Sequence, residues 1–521
     1  MNVLNLPDEI LIAIFNKLDS VDILYSLVNV NQRFYRLALD AFVIGHLDFV
    51  IKRNDIQNSS IDTQILDRIC SKILPRINEK VNKLTVDQYS MECIPSTIDY
   101  PQLHSLSLVN YQSNILLQHL KGNTIFRLLH NQITNLTIKI DSEDTEIPNH
   151  NQVNIFILVL LLSRNLKNLT FFRQCSTQYL TIWYSNISYK GSLSSTLTKL
   201  TINVNTFNDC LYLLNGSLQS LSTLIIRIKK INRSSSIIDN TKKLVNLKCF
   251  SLVTDLYTWF YDEEVVPLLS RMLNLEELTL FMLVIRTNTI YIDGNQLYDK
   301  VLNYMPRLNK FIFSIHTRIM NDYYKTITSL PSKSDIRNSF IKRGIQSIGI
   351  CADDKLINDR ANCYVYSLPY QFQEFLFMSN CFQGGNFDNV RLLSMYDVRP
   401  FEHELFKIIA QDFPFLQQLS IYNDNSQKNK QHHLSTLITF SHLYKLNLFC
   451  AHHNYAIQFL SENNTRLPCL TNLIIMYETL RTITHDFTND VTRRNCTKII
   501  SLITHEPLVG SQNFYSYFPS L

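Results

Sequence analysis

The sequence predicts an α/β protein: a short all-helical module over residues 1–48, a helical linker or cap over 49–80, and a repetitive α/β horseshoe solenoid over 81–521. Three observations carry the prediction. The first forty residues hold helix start signals and a helical apolar stripe. From about residue 80 onward one apolar pattern of period two keeps returning, with helical stretches between its copies. The chain is 521 residues long and 45% hydrophobic with only 10 glycines and 14 prolines, enough to bury a large core and poor in linker composition.

The helical module begins at Pro7, where a missing N–H is tolerated in a first turn, followed by Asp8 and Glu9 at the positive end of the helix. Ile10, Leu11, Ile14, Phe15 and Leu18 then form an amphipathic stripe. Asp19 or Ser20 can cap a second helix carrying Ile23, Leu24, Leu27 and Val28, and Asn31 a third carrying Phe34, Leu37 and Ala38. A bundle of about forty residues buries too little surface to stand alone, so its remaining apolar side must pack on the rest of the chain or on another protein.

The run Leu6-Pro7-x-Glu9-Ile10-Leu11-x-x-Ile14-Phe15-x-x-Leu18, with Asp22 and Val30-Asn31-Gln32-Arg33-Phe34-Tyr35-x-Leu37-Ala38 at the usual distance, resembles an F-box. Asn31 stands where a small residue or cysteine is common in that family, and no tryptophan follows near residues 42–50. The resemblance covers less than a tenth of the chain. It implies docking onto the Skp1 subunit of a cullin-RING (SCF) ubiquitin ligase, with the rest of the chain selecting a substrate. It also implies a Skp1-facing set of Leu6, Pro7, Ile10, Leu11, Ile14, Phe15 and Leu18, completed by Val30, Arg33, Phe34 and Leu37, some of which must be internal core. The plainer reading is a helical cap shielding the first repeat. Surface exposure of Leu11 and Phe15 favours docking, and burial of both against residues 60–90 favours the cap.

The repeated pattern is a leucine-like residue, two others, a second leucine-like residue, one other, and a third. It appears at Leu103-x-x-Leu106-x-Leu108, Leu166-x-x-Leu169-x-Phe171, Leu197-x-x-Leu200-x-Ile202, Leu221-x-x-Leu224-x-Ile226 and Leu247-x-x-Phe250-x-Leu252. It continues at Leu275, Leu278 and Leu280, at Leu308-x-x-Phe311-x-Phe313, and at Leu416, Leu443 and Leu470, with poorer copies near Leu84, Leu136, Ile348 and Leu393. The copies number about fourteen and recur mostly every 24 to 33 residues, with larger gaps near 311–393 that predict an irregular insertion around 320–390. Each copy reads as a short strand with one face inward, and successive strands as a parallel sheet. Helices are expected between them over 151–164, 262–273, 293–304, 402–413 and 454–463.

These copies resemble the leucine-rich repeats of F-box proteins, although the asparagine that usually follows the third apolar position is mostly absent; Asn110 and Asn423 are approximate candidates. Without that ladder the turn after each strand must satisfy its backbone another way. An unrelated stack of βα units is the alternative. In a horseshoe, side chains between the inward leucines point to the concave face, the usual recognition surface. That places Lys139, Arg227, Lys229, Glu277, Thr279, Phe281, His316, Tyr422, Lys445, Asn447 and Phe449 as candidate substrate contacts, with a solvated sheet face as the bland alternative.

The net charge of +5 is spread without a basic block, which points to neither nucleic acid nor an anionic membrane. Eleven cysteines without a C-x-x-C pair fit a reduced cytoplasmic or nuclear chain. Residues Met1 to Leu11 lack a basic region before an apolar block and so do not read as a secretory signal. The longest apolar run, Val153 to Leu162, is about ten residues and reads as a buried helix rather than a bilayer span. No nucleophile elbow, phosphate loop or zinc-protease motif occurs. His432-His433 and His452-His453, with Cys450 nearby, match no zinc spacing, and Asp353-Asp354 and Glu263-Glu264 read as solvated or helix-start carboxylates. No catalytic residue, cofactor or metal is therefore expected. The expected role is a non-enzymatic substrate-recognition adaptor of an SCF-type ligase. The alternatives are a repeat scaffold without a ligase role and an enzyme whose site lies within 320–400.

Overall fold

A computed structural model describes the chain except for residues 1–2, 4–5, 29, 39–44, 51–62, 92–98, 141–154, 174–192, 236–241, 288, 322–326, 429–436 and 507–511. It divides into two compact units, Met1–Thr279 with Leu302–Lys310, and Leu280–Val301 with Phe311–Leu521.

The first unit opens with the expected helices. α1 spans Asp8–Phe15, α2 spans Ser20–Asp22 and runs on as a widened helical turn over Ile23–Leu27, and α3 spans Gln32–Ala38. Asn31 caps α3 by accepting the Phe34 N–H at 2.8 Å. The strands that follow are β1 (His46–Asp48), β2 (Lys83–Val86), β3 (Ser105–Tyr111), β4 (Asn135–Ile140), β5 (Asn168–Arg173), β6 (Lys199–Thr206), β7 (Thr223–Lys230) and β8 (Cys249–Thr254). They pair in chain order and in parallel.

Their register is the sequence motif made physical. The second apolar positions, Leu84, Leu106, Leu136, Leu169, Leu200, Leu224 and Phe250, lie side by side. So do the third positions, Val86, Leu108, Ile138, Phe171, Ile202, Ile226 and Leu252, and both rows are buried. A one-residue slip would turn every one of these side chains to solvent, so burial fixes the register. The opposite face carries hydroxyls at Thr85, Ser107, Thr137, Thr170 and Thr201, then Ile225, then Ser251.

The backbone answers the missing asparagine ladder at the other end of each strand. Both N–H groups between the first and second apolar positions donate to a single carbonyl one strand back. His104 and Ser105 donate to Asn82, Thr134 and Asn135 to His104, and Lys167 and Asn168 to Thr134, a pattern that continues to Asn309 and Lys310 on Glu276. One carbonyl has two lone pairs and can take both bonds. Most of the predicted repeats therefore stack without the consensus side chain.

β9 (Glu277–Thr287) contains the division between the units. In the second unit, β10 (Lys310–Met320) and β11 (Ile348–Ala352) each pair antiparallel with β12 (Arg360–Ser367). The copy predicted near Ile348 is thus not a parallel repeat strand, whereas the copy at Phe311-Phe313 is entered through the same paired N–H motif, Asn309 and Lys310 on Glu276, before the antiparallel pairing begins. β10 runs for eleven residues, and from Ser314 to Met320 its backbone is taken by the antiparallel partner. The antiparallel pair β11–β12 falls inside the expected irregular region.

A second parallel series follows: β13 (Glu374–Met378), β14 (Leu392–Tyr396), β15 (Gln418–Tyr422), β17 (Lys445–Asn447), β19 (Asn472–Ile474) and β20 (Ser501–Ile503), while β16 (Ile438–Thr439) and β18 (Thr465–Arg466) form a small pair of their own. Phe375, Leu393, Leu419, Leu446, Leu473 and Leu502 share one row. The paired N–H motif recurs here, from Arg391 and Leu392 on Gln373 to Ile500 and Ser501 on Thr471. Asn423 does act as a ladder residue: it is buried, its side chain donates to the Arg399 carbonyl at 2.6 Å and accepts the Asn425 N–H at 2.9 Å.

The expected helices appear as Ile155–Leu162, Val266–Leu269, Gly294–Lys300, His403–Asp412 and His453–Leu460. The sequence reading missed Ser113–Lys121, Asn123–Asn131, Phe207–Leu213 and Lys333–Ile341. Among the described residues no helix is long and apolar enough to cross a membrane.

Candidate functional site: the N-terminal docking face

The apolar stripe of α1 has two sides. Leu11 and Phe15 are buried, and the Phe15 ring meets the Phe34 ring edge-on with centroids 5.6 Å apart. Around them Ile23, Leu24, Val28, Leu37 and Ala38 close a small core. Ile10 and Ile14, one step round the helix at i and i+4, stay 48% and 40% exposed, Leu18 in the turn past α1 is 42% exposed, and Val30 just before α3 is 56% exposed. Pro7 is also exposed, and Leu6 is half-buried.

The predicted docking set therefore splits. Pro7, Ile10, Ile14, Leu18 and Val30 present surface, whereas Leu11, Phe15, Phe34 and Leu37 are interior and are corrected to core. The physical reason is that α3 covers one side of α1, and a bundle this small needs that side to fold at all. Leu11 and Phe15 are buried, but the aromatic partner of Phe15 comes from α3 and not from residues 60–90. Neither simple alternative drawn from the sequence describes the result.

Arg33 is engaged inside the module. Its Nε donates to Asp8 Oδ1 at 2.7 Å and its Nη2 to the Leu6 carbonyl at 2.6 Å. Arg36 donates to the other Asp8 oxygen at 2.6 Å. The hydrogen bond from Arg33, reinforced by the two guanidinium charges, holds the Asp8 carboxyl below its ordinary value. This fork ties the start of α1 to α3 and fixes the angle at which Pro7, Ile10 and Ile14 are presented.

The module is also joined to the first strand of the sheet. The Asp48 N–H donates to Ser20 Oγ at 3.1 Å, the Arg68 guanidinium lies 5.1 Å from the centre of the Tyr25 ring, and Arg76 reaches the Tyr35 hydroxyl at 3.4 Å. Sequence spacing gave no sign of these contacts, because their partners are 28 to 43 positions apart.

The candidate substrate contacts do not converge on one site. In the first unit, Lys139 is exposed, while Arg227 pairs with Asp255 at 3.2 Å and Glu277 with Lys310 at 3.2 Å. Lys229 and Thr279 are half-buried. In the second unit, Phe281 is buried against the Phe372 ring and His316 is buried and stacked on Tyr364 at 3.8 Å, so both are corrected from surface to interior. Burial, then the charge of Arg318, drives the His316 pKa well below its ordinary 6.5. Both residues continue long strands beyond the repeat motif, where the alternation of faces no longer follows the repeat. Tyr422, Lys445, Asn447 and Phe449 are half-exposed.

Of the carboxylates read as solvated or helix-start, Asp353 and Glu264 are interior, and Glu264 does lie in the first turn of a helical segment, Tyr261–Val265. Asp353 accepts the Asn362 N–H at 2.9 Å and Arg399 Nη2 at 2.8 Å. Arg399 also holds Asp397 at 3.1 Å. Glu264 is buried and accepts the Ser234 N–H at 2.7 Å. Fully hydrogen-bonded in this way, these acids support the fold. His452 caps the helix His453–Leu460 by accepting the Asn454 N–H on Nδ1 at 3.3 Å. His432 and His433 lie outside the described residues. Among the described residues no cluster of three or more histidines, cysteines or acids could hold a metal ion.

Residues 3–49 match the F-box-like family. No curated protein matches the chain. A solved structure described as "Crystal structure of TLR13-ssRNA13 complex" is similar over 86% of this chain at 14% identity, with a TM-score of 0.24; the chain spans about half, 54%, of that protein's length.

Proposed function

We propose that this chain is a substrate-recognition adaptor of an SCF-type E3 ubiquitin ligase, in which the N-terminal module binds a Skp1-like subunit and a leucine-rich-repeat solenoid holds a protein substrate. The observation that carries the reading is the exposed apolar row Ile10, Ile14 and Leu18, with Pro7 and Val30, on a segment that matches the F-box-like family. A contiguous apolar row on a small helical module is the signature of helix docking onto a partner groove.

In this role the chain performs no bond chemistry. It raises the local concentration of a substrate beside the ubiquitin-charged enzyme and fixes its approach. The contacts from Ser20, Tyr25 and Tyr35 to the first strand and to Arg68 and Arg76 suit that role, because they remove play between the docking module and the sheet that follows it.

The test is capture of purified Skp1 and cullin by the full chain. Capture by the wild type and its loss in L6A/P7A/I10A supports the reading. A folded wild-type chain that takes up neither partner overturns it and leaves a repeat scaffold.

A further inference from the structure

The turn between the helices Tyr477–Ile483 and Asp490–Cys496 is built against its own backbone preference. His485, Asp486 and Phe487 take φ of 50°, 53° and 65°, three successive non-glycine residues in the left-handed region. That region crowds the side chain against the following carbonyl, so residues other than glycine visit it singly and at a cost. The turn persists because its surroundings hold it. The Phe487 N–H donates to Thr484 Oγ1 at 3.2 Å, the Asp486 N–H to the Arg481 carbonyl at 3.0 Å and the Asn489 N–H to the Thr484 carbonyl at 2.9 Å. Phe487 is buried, with the ring centroids of Phe514, Tyr517 and Phe518 at 5.1, 6.0 and 6.1 Å.

Those three rings belong to the helix Gln512–Tyr517 and the residue after it. The helix has 6 residues, well short of the roughly 12–15 at which a helix is even marginally stable alone. Among the described residues no backbone–backbone hydrogen bond ties residues 512–521 to the rest of the chain. Side chains make the attachment: the Tyr517 hydroxyl donates to the Asn489 carbonyl at 3.2 Å, and Arg493 Nη2 donates to the Ser516 carbonyl at 3.0 Å. A segment held this way opens at less cost than strands locked in a backbone ladder.

We infer that the helix Gln512–Tyr517 is a strap clamping the strained turn, and that strap and turn open together as one unit while the parallel strands of the second unit stay closed. The two are coupled through Phe487. Its burial under the strap requires a left-handed chain at residues 485–487, so closure carries the strain and release of the strap lets the turn relax. Opening bares Phe487, and the strap thereby gates an apolar surface within the second unit.

The test is hydrogen exchange of the full chain read by mass spectrometry. Peptides covering residues 484–490 and 512–518 should report the same opening, faster than peptides covering Leu392–Tyr396 and Gln418–Tyr422. F514A/F518A removes two rings of the clamp and should speed exchange in both segments at least tenfold, with the strand peptides unchanged. H485G makes the opposite change. His485 is exposed and its side chain makes no hydrogen bond or ion pair among the described residues, so glycine there relieves strain without removing a contact. It should slow exchange in both segments about threefold, the relief being partly offset by the greater freedom of glycine in the open chain.

Faster exchange of 512–518 alone in F514A/F518A overturns the inference, by showing a fraying helix over a turn that stands without it. Loss of protection in the strand peptides as well overturns the separate opening. Exchange in H485G that is unchanged or faster overturns the coupling to strain, and that variant, which deletes no buried group, decides the matter should F514A/F518A fold poorly.

Discussion

Ile10 and Leu11 are neighbours in sequence with opposite predicted consequences, and the pair separates docking from folding. Fully burying an isoleucine side chain stabilises by about 1.5–3 kcal/mol, so covering the 48% and 40% still exposed at Ile10 and Ile14 is worth roughly 1 kcal/mol each. I10A/I14A should therefore cost about 2 kcal/mol of binding, a rise in Kd of roughly thirtyfold. The folded module should be little affected, since both side chains already face water. L11A removes a fully buried side chain and should destabilise the helices by about 2–5 kcal/mol, weakening binding only through unfolding. The assay is biolayer interferometry of the full chain on immobilised Skp1, read beside amide exchange over residues 8–38. Binding by I10A/I14A within about twofold of wild type would refute the assignment of the outer row as the docking face.

The remaining predictions concern charges held inside each unit. D8N removes the negative charge and one of the two oxygens that accept from Arg33 and Arg36. Because the folded Asp8 carboxyl lies below its ordinary 3.8, its stabilisation is present above that value and lost as pH falls through the folded value, so at neutral pH D8N should speed amide exchange in α1 and α3. Unchanged exchange would mean that the fork is ornamental. His316, neutral in the fold because its pKa lies well below 6.5, takes up a proton only on unfolding below that pH; the unfolded chain then binds more protons and stability falls on acidification. H316Q should flatten the change in urea midpoint between about pH 7.5 and pH 5.5, and an unaltered slope counts against this assignment. R399M leaves the carboxylates of Asp353 and Asp397 without their shared guanidinium and should cost about 2–4 kcal/mol in urea unfolding, discounted because Arg399 is partly exposed; a loss below about 1 kcal/mol would show that the amide donors suffice.

The strands were the most legible part of the fold, because period-two burial is written in every copy of the apolar motif. Leu106 beside Leu136 beside Leu169 needs only that each repeat bury the same face. What held the repeats together was less legible. The ladder runs through backbone groups such as the His104 carbonyl, which takes two N–H donors, and backbone bonds leave no trace in residue identity. Helix Asn123–Asn131 was legible in principle: Ile125, Leu128 and Leu129 fall at i, i+3 and i+4 and are all buried. Lys333–Ile341 did carry a readable signal: Ser332 and Asp335 form a capping box, with hydrogen bonds running both ways between them. The antiparallel strand β12 escaped because its sequence, like that of a parallel strand, states which residues turn inward and not which way its neighbour runs.

The docking face was half legible for a related reason. Apolar spacing marks Ile10, Leu11, Ile14, Phe15 and Leu18 as one stripe, since periodicity records affinity for an apolar surface without recording whose surface it is. Only the placement of α3, with Phe34 against Phe15, divides the stripe into an inner and an outer half. Arg33 posed the opposite problem: a cation in a docking motif suggests a contact with the partner, yet its fork is closed on Asp8, 25 positions earlier. A residue whose type exceeds what its own structure requires points to a partner, and Ile10 and Ile14 meet that condition.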